Sequence, residues 1–580
     1  MIKTVYLIFK THLDIGYTDY AENVTKRYLE SYIPNAIKVG YALKDTETPF
    51  VWTVGSWLVW EALKHDKDGV VEQAIKDGII VWHALPYTSH TEVMSEKLFS
   101  YGLSISAKLD KRFGKKTRAA KMTDVPGHTI GAVPLMAKAG VDFLHIGINT
   151  AAAAANVPPL FKWRLFDDEV TVMYQGCYGE SQEFSDFAVC FAHTNDNMGP
   201  QSPNEIIGIY DKFKAKYPGA KIVAATLDDV AERVAEIKDI PVVTDEIGDN
   251  WIHGTGTDPK KVAMYLELLR HIENRDIDDV DLCDDLLLIP EHTWGMCVMK
   301  YFPDVLTWAP SQIKAREADE DVMRIERSWQ EQRDYVTGAE KTLGYKVDYT
   351  VSAPDLTGYK RVEIGDMPFT VSWQLFDYFN DNKRYIEKYM RLTNENYWWA
   401  LWDYTKFGLP DGYRGFITEA EPVECYEKDG ERIYKLAFPS EYARTYGLPS
   451  VYAIWRGDFL ELRWFGKEKS RLPQAFYLKL NGLYENWKIN KMGTLIDPKF
   501  ARGSKLLHST TEYVTNGEVE IKALDSVLVL PFGRRLYDFE GGFDIKDDMY
   551  FCLYNNQYNT NFPLWYSDDS RFRFEIKKLS

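Results

Sequence analysis

The chain has 580 residues, of which 45% are hydrophobic, so it can bury large cores and form several domains. Its net charge of -17 argues against nucleic acid or an anionic membrane as the main partner, and no run is long and apolar enough to span a bilayer. The six cysteines lack a Cys-x-x-Cys spacing, and no signal peptide precedes the first apolar run. These features predict a cytoplasmic protein with reduced thiols.

Strand-like apolar runs alternate with amphipathic helical segments over residues 1–310. The helical segments include residues 92–113 and 203–217, and the runs lie at residues 5–9, 50–54, 79–83, 119–123, 141–148, 170–174, 187–191 and 222–225. This alternation predicts a parallel sheet covered by helices, either as an open sheet or as a barrel. In a barrel, the chemistry gathers at the C-terminal ends of the strands.

The pattern changes twice after the first 310 residues. Helical segments at residues 311–343 and 373–406 carry large apolar side chains, which predicts a helical bundle domain over residues 311–411. Short strands follow, with a hairpin whose tight turn is Asn516-Gly517. Strands at this spacing predict a β-sandwich domain over residues 412–580.

His12 and Asp14 directly follow the first apolar run. Residues two apart in an extended backbone point to the same side, so this imidazole and this carboxylate could hold one divalent ion. A hydrogen-bonded pair at a strand end would also explain them. Asp124 follows the run at residues 119–123, and His292 follows an apolar stretch at residues 286–290. Together the four side chains would balance a divalent cation and leave a coordination position for substrate.

These positions, in this order, resemble glycoside hydrolase family 38, the metal-dependent α-mannosidases. His12-x-Asp14 is similar to the first two metal ligands of the family, and Asp124-Val125-Pro126-Gly127-His128 is similar to its nucleophile segment. His292 resembles the last ligand. Residues 222–229, 253–255 and 553–563 also resemble family segments.

The chain departs from the family pattern at several places. Tyr17 stands where Trp is usual, Gly254 stands where Arg is common, and Thr293 stands where Asp is expected. The chain is also shorter than typical members. It therefore resembles a divergent and shortened member.

The resemblance implies a seven-stranded type of (β/α) barrel as the catalytic domain. It also implies one divalent ion, with Zn²⁺ as the first choice and Ca²⁺, Co²⁺ or Mn²⁺ as alternatives. The reaction would be a retaining double displacement on an α-mannoside or another small glycoside, with Asp124 as both ligand and nucleophile.

Asp196 is the expected acid/base, because it follows the run at residues 187–191 and lies in the family's region for this role. Its rivals are His193, Glu180 and Glu183. Asp196 could instead cap the helix that begins near Pro203 or turn its loop.

Six further residues are candidates for substrate contacts: Tyr17, His90, Glu92, His128, His253 and Trp294. Alternative roles stay open for several of them. His90 and Glu92 could belong to a capped helix start, His128 could orient the Asp124 loop, and Trp294 could seal the barrel mouth.

Two other functions stay open as well. One is a carbohydrate deacetylase or another metal hydrolase on a similar barrel, and the other is a non-catalytic sugar-binding protein. A homo-oligomer is compatible with the sequence.

Overall fold

The computed structural model describes residues 1–248, 251–377, 390–483, 485–503, 505–534, 536, 548–557 and 559–579. The chain forms two compact units. The first comprises Met1–His90, Leu98–Asp245 and Glu291–Thr293, and the second comprises Thr91–Lys97, Glu246–Pro290 and Trp294–Ser580. The predicted domain boundaries at residues 310 and 411 stay a prediction.

The first unit is built on two mainly parallel sheets. The strand Thr4–His12 pairs in parallel on both edges, and its residues Leu7, Ile8 and Phe9 are fully buried, as in strands covered on both faces. Its sheet contains Ile80–His83, Trp52–Gly55, Thr4–His12, Phe187–Asp196, Gln182–Glu183 and Lys221–Ala224. The other sheet contains Val242–Val243, Leu160–Leu165, Asp168–Gln175, Phe143–Ile148 and Ala119–Asp124.

All eight predicted apolar runs are strands of these two sheets, and the parallel α/β character of the first region is confirmed. A backbone hydrogen bond of 2.9 Å from Ala84 N to Ala119 O links their neighbouring edges. Closure into a single barrel stays a prediction.

The helices along the described chain confirm the predicted segments at residues 92–113, 203–217 and 311–343. None of them combines the length and apolar composition that crossing a bilayer requires. The α-helices are Ala21–Arg27, Ile33–Leu43, Ser56–His65, Val70–Lys76, Glu96–Phe113, Ala132–Lys138, Pro203–Lys216, Leu227–Val234, Pro259–Glu273, Val298–Tyr301, Pro310–Lys314, Glu320–Leu343, Tyr397–Tyr404 and Ser440–Tyr446. Short 3₁₀ segments lie at Thr91–Val93, Trp251–Gly256 and Leu286–Leu288, and a π-helical turn lies at Tyr28–Tyr32.

The second unit contains two large antiparallel sheets whose buried side chains share one core, so the predicted all-β region is confirmed. One sheet runs in the order Lys360–Val362, Glu421–Lys428, Glu431–Ala437, Ser450–Trp455, Phe459–Phe465, Ser570–Lys578, Val519–Ala523, Val514–Thr515, Lys488–Lys491 and Thr494–Ile496. The other runs in the order Phe416–Glu419, Phe369–Leu375, Gln474–Leu480, Tyr550–Asn555, Leu528–Leu530 and His508–Ser509. Glu246–Gly248 pairs separately with Ala501–Gly503.

The hairpin at Asn516-Gly517 is present as predicted. Val514 pairs with Ile521, and Gly517 has φ 89°, a left-handed conformation that a tight turn demands and glycine adopts without strain.

The predicted helix over residues 373–406 is wrong at its start. Phe369–Leu375 is a strand that pairs with Phe416–Glu419 and Gln474–Leu480. Large apolar residues at every second position, Phe369, Val371, Trp373 and Leu375, follow the period of two of a strand. Residues 378–389 lie outside the described residues, and Tyr397–Tyr404 is helical. The helical bundle stays a prediction.

Candidate metal centre and active site

Four buried side chains of the first unit meet at one point. His12 ends the first strand, Asp14 follows it, Asp124 ends the strand Ala119–Asp124, and His292 lies in a short segment that bridges to Ser89. Their ligand atoms all lie within 4.8 Å of one another. The structure thus brings together the four residues predicted to bind metal. The apolar stretch before His292 contains a 3₁₀ turn, Leu286–Leu288.

Four of the distances within this four-ligand cluster are close to those around a tetrahedral ion. Asp14 Oδ1 lies 3.1 Å from His12 Nε2 and 3.0 Å from His292 Nε2, and the two Nε2 atoms are 3.2 Å apart. Asp124 Oδ2 lies 3.5 Å from His292 Nε2. Ligand atoms that lie ~2.0–2.1 Å from a tetrahedral zinc ion are about 3.3–3.4 Å from one another. Buried Asp14 Oδ2 also has no hydrogen-bond partner among the described residues.

Neighbouring side chains orient both imidazoles. His12 Nδ1 is 2.9 Å from Thr123 Oγ1, and His292 Nδ1 is 2.6 Å from Glu291 Oε1. Because the Nδ1 atoms are engaged by these oxygens, the Nε2 atoms of both rings are left to face the carboxylates. This pattern of outer partners is typical of metal-binding histidines.

The electrostatic environment favours positive charge at the cluster. Burial alone would lower the pKa of His292, but Glu291 and Asp14 outweigh it and hold that pKa well above its usual range. Burial alone would raise the pKa of Asp14, but His12 and His292 hold it well below its usual range. The same field that stabilises an imidazolium would stabilise a bound cation.

The two oxygens of Asp124 have different partners. Oδ2 faces His292, whereas Oδ1 accepts hydrogen bonds from the Tyr178 hydroxyl at 2.7 Å and from Asn149 Nδ2 at 2.9 Å. Asp124 itself has φ 81°, which is uncommon for a residue with a side chain and is typical of functional positions. The backbone therefore presents this carboxylate to two sets of neighbours at once.

Sequence reasoning missed Tyr178 and Asn149. Tyr178 is 54 residues from Asp124 in the chain and lies outside any regular element, so no local pattern points to it. Gly147 permits its placement, because a Cβ at that position would come within 2.8 Å of the carbonyl oxygens of Cys177 and Tyr178.

Asp196 ends the strand Phe187–Asp196 and is paired in register with His12. Burial and the charge of Asp14 raise the pKa of Asp196 to about 7. It does not cap the following helix, because Ser202 caps Pro203–Lys216 through a capping box with Glu205.

The rivals for the acid/base role have different surroundings. Burial lowers the pKa of His193 to about 4, which leaves its imidazole neutral near pH 7. Glu183 accepts a hydrogen bond of 2.9 Å from the Tyr217 hydroxyl, and Glu180 is exposed. Burial thus lowers the pKa of His193 but raises that of Asp196 to near neutrality.

Asn197 holds the loop that carries Asp14 and Tyr17, and sequence reasoning missed this role too. Its Oδ1 accepts from Asp14 N at 3.0 Å, and its Nδ2 donates to the carbonyl oxygens of Asp14 at 3.0 Å and Gly16 at 3.2 Å. Asn197 has φ 54°, a conformation in which asparagine is enriched. The turn-prone sequence Asn195-Asp196-Asn197 is the feature that could have pointed to this role.

The other predicted substrate contacts are divided between the two units. Tyr17 is half-buried beside the Asn197 contacts, and His90 and His128 are buried in the first unit. Glu92, His253 and Trp294 belong to the second unit, where all three are buried. Both oxygens of Glu92 are engaged by lysines, and Lys261 Nζ lies 3.7 Å from the centre of the Trp294 ring. Substrate contacts by these six residues stay predictions.

Comparison with known proteins supports the fold. A family model described as a domain of unknown function, DUF5054, matches residues 255–356, and no curated protein sequence matches significantly. The structure is similar to an α-mannosidase from Enterococcus faecalis V583, with a TM-score of 0.56 and 9% identity over 99% of this chain and 87% of that one. It is also similar to a protein in glycosyl hydrolase family 38 from Enterococcus faecalis, with a TM-score of 0.55 and 9% identity over 100% and 86%. The resemblance to family 38 is thus confirmed at the level of the fold, in a divergent sequence.

Proposed function

We propose that this protein is a metal-dependent retaining glycoside hydrolase that acts on α-mannosides. The observation that carries the proposal is Asp124, whose two carboxylate oxygens serve different neighbours at the end of a strand. One oxygen belongs to a cluster with the spacing of a tetrahedral metal site, and the other is held by Tyr178 and Asn149. A nucleophile that is also a ligand needs both arrangements.

His12, Asp14, Asp124 and His292 would hold one divalent ion, with zinc as the first choice given two imidazoles and two carboxylates. When bound, the ion would act as a Lewis acid toward neighbouring sugar hydroxyls, such as the cis pair at C2 and C3 of mannose. Asp14 and Asp124 would neutralise its charge.

The covalent steps belong to the side chains of the chain itself. Asp124 attacks the anomeric carbon and forms a glycosyl ester, while Tyr178 and Asn149 fix the orientation of the carboxylate. Asp196 gives its proton to the leaving oxygen and then removes a proton from the attacking water. A carboxyl group whose pKa is raised to about 7 suits both steps near neutral pH.

Covalent labelling tests the nucleophile. A 5-fluoro mannosyl fluoride should inactivate the metal-loaded enzyme and add one glycosyl group to the peptide that carries Asp124. The matched control is Asp124→Asn, which should neither be labelled nor turn over substrate, because an amide is a poor nucleophile. Proton NMR should show release of the α-anomer first. An inverted product, or loss of acetyl groups with the glycosidic bond intact, would overturn the proposal and favour a deacetylase.

Leaving-group dependence tests Asp196. Asp196→Ala should slow alkyl mannosides by on the order of 10²–10⁴-fold and activated aryl mannosides far less, because a good leaving group needs little protonation. Equal losses on both substrates would assign Asp196 to binding and direct attention to His193, Glu180 and Glu183.

A further inference from the structure

A cavity of about 170 Å³ opens in the second unit and is lined by residues that the proposed catalysis does not use. One wall is the helix Glu320–Leu343, from which Glu326, Trp329, Gln330 and Arg333 line the cavity. Their spacing of three, four and seven residues places them on one side of the helix. The chain segment before the strand Ser570–Lys578 supplies further lining residues: Pro563, Trp565, Tyr566, Ser567 and Asp568.

Aromatic rings form part of this lining. The rings of Trp329 and Trp565 pack edge to face, with centroids 5.2 Å apart and an interplanar angle of 81°. The Trp565 indole donates a hydrogen bond of 2.6 Å to Glu326 Oε1, which fixes its orientation. Tyr566 lies beneath the guanidinium of Arg333, at 5.9 Å from its ring centre. Such rings offer apolar surface next to polar groups.

Charged groups on the walls are held in fixed positions. Arg333 binds Asp258 through two hydrogen bonds of 2.8 and 3.0 Å and donates a third, of 2.7 Å, to Asp568. Lys469 Nζ lies 2.8 Å from Glu326 Oε1. Two-point pairing between a guanidinium and a carboxylate is geometrically specific, so the cavity presents oriented donors and acceptors.

The charge balance of the lining indicates what it would bind. Glu326, Asp258 and Asp568 are each paired with Lys469 or Arg333, so three carboxylates face two cations. These lining residues carry no excess positive charge that would attract an anion. Each of the three carboxylates already has a cationic neighbour, so none of them requires a metal ion. Oriented polar groups beside aromatic rings suit a neutral ligand with many hydroxyl groups.

We propose that this cavity binds one sugar ring of a neutral carbohydrate. Its volume holds on the order of ten water molecules at roughly 10–15 Å³ each, which is enough space for a single ring. Asp258 and the four helix residues lie within residues 255–356, the segment matched by the family model. The site shares no residue with the proposed catalytic centre, so sugar binding here does not require catalysis there.

Ligand-observed NMR on the full chain tests this proposal. The protein is first treated with a chelator, so that metal-dependent binding of sugar at the four-ligand cluster is removed. Methyl α-D-mannopyranoside and methyl α-D-glucopyranoside then serve as probes. We expect saturation transfer to at least one of them, and a titration should give its dissociation constant.

Two tryptophan substitutions on the same helix form a matched pair. Gln330→Trp places a bulky ring at an exposed position of the cavity and should weaken binding at least tenfold. Met323→Trp adds the same side chain at another exposed position that does not line the cavity, and binding should stay unchanged. Glu326→Gln keeps the shape but removes a charge-assisted acceptor, and it should weaken binding several-fold.

The proposal is overturned if neither glycoside binds the chelated protein, or if Gln330→Trp binds them as well as the wild type does. It is also overturned if the cavity binds inorganic phosphate or Ca²⁺ instead, with that binding abolished by Gln330→Trp and no binding of the glycosides. The result is separable from catalysis. If the fluorosugar fails to label Asp124 but the glycosides still bind the chelated protein, only the catalytic proposal falls.

Discussion

Two buried polar clusters, one in each unit, use similar residue types for different ends. The four-ligand cluster consists of His12, Asp14, Asp124 and His292. The lysine cluster, in the second unit, consists of Glu92, Glu246, Lys491, Lys505 and His508. Each brings two carboxylates and at least one histidine out of water, and each therefore requires positive charge.

The source of that positive charge separates the two clusters. Lys491 Nζ lies 2.5 Å from Glu92 Oε2, 2.7 Å from Glu246 Oε2 and 3.0 Å from His508 Nδ1. Lys505 pairs with the other oxygen of Glu92. An ammonium group thus occupies the position that a metal ion would take, whereas no lysine or arginine lies within salt-bridge distance of Asp14 or Asp124 among the described residues.

A set of buried histidines and carboxylates therefore indicates a metal site only where no lysine or arginine supplies the positive charge. In the lysine cluster, burial and the two ammonium groups lower the pKa of His508 well below its usual range, so a neutral imidazole accepts from Lys491. In the four-ligand cluster, the pKa of His292 is raised. We interpret the four-ligand cluster as functional and the lysine cluster as structural.

The largest expected effect comes from His292→Ala. Loss of one ligand should reduce the bound metal from one ion per chain to a small fraction. Glycosidase activity should fall by more than the roughly 10–100-fold that loss of a partner behind a ligand costs. Metal analysis and initial rates measure both. His65→Ala, at an exposed histidine, is the control and should change neither. Full metal occupancy in His292→Ala would remove this residue from the ligand set.

Lys491→Met tests the other side of the comparison. It leaves Glu92 and Glu246 buried without their shared cation, and the free energy of unfolding should fall by about 3–5 kcal/mol. Urea denaturation measures the change, with Lys488→Met, at an exposed lysine on the same strand, as the control. The metal content should stay at one ion per chain. A stability equal to that of the control would show that the lysine is not the required cation.

The lysine cluster should also make stability depend on pH. Burial alone would raise the pKa of Glu92, but Lys491 and Lys505 outweigh it and lower it to about 2. Because the folded pKa lies below the unfolded value near 4.5, the unfolded chain binds more protons between these values, and this stabilisation is lost as the pH falls through that window. The loss should be about 3 kcal/mol.

Unfolding measured from pH 5 to 2 in wild type and Glu92→Gln isolates this contribution. The difference in unfolding free energy between the two proteins should shrink as the pH falls. A constant difference would contradict the lowered pKa.

Tyr178→Phe gives the smallest expected effect and sharpens the role of the first cluster. It removes the hydroxyl that donates to Asp124 Oδ1 without removing a ligand. A hydrogen bond to a charged group contributes about 1.5–3 kcal/mol, so kcat/KM should fall roughly 10–150-fold while the metal content is unchanged. Tyr41→Phe, which removes a surface hydrogen bond of 2.8 Å to Asp77, should leave activity unchanged. Loss of metal in Tyr178→Phe would instead assign Tyr178 to holding the ion.

Much of the architecture could be predicted because strands, helices and turns leave local patterns of apolar and turn-forming residues in the sequence. Continuous apolar runs marked the parallel strands, and Asn516-Gly517 marked a hairpin. Residues 373–375 fall in the predicted helix, yet they belong to a strand, Phe369–Leu375, whose apolar residues repeat with a period of two. Large apolar side chains occur in both kinds of element and do not distinguish them. Position at a strand end marked His12, Asp14 and Asp124 as candidate ligands, but the strands that carry them belong to two different sheets, whose arrangement local pattern does not specify.

By itself, the sequence determined most of the strands and helices and the order of the candidate ligands, because these depend on neighbours a few residues apart. Only the tertiary structure decided which side chains surround them. Glu92 resembled a substrate contact in sequence, yet it is ion-paired with Lys491, 399 residues away. Tyr178 reaches Asp124 across 54 residues. Chain topology sets such contacts, and local pattern carries no information about which distant charge or hydroxyl will be buried beside a given carboxylate.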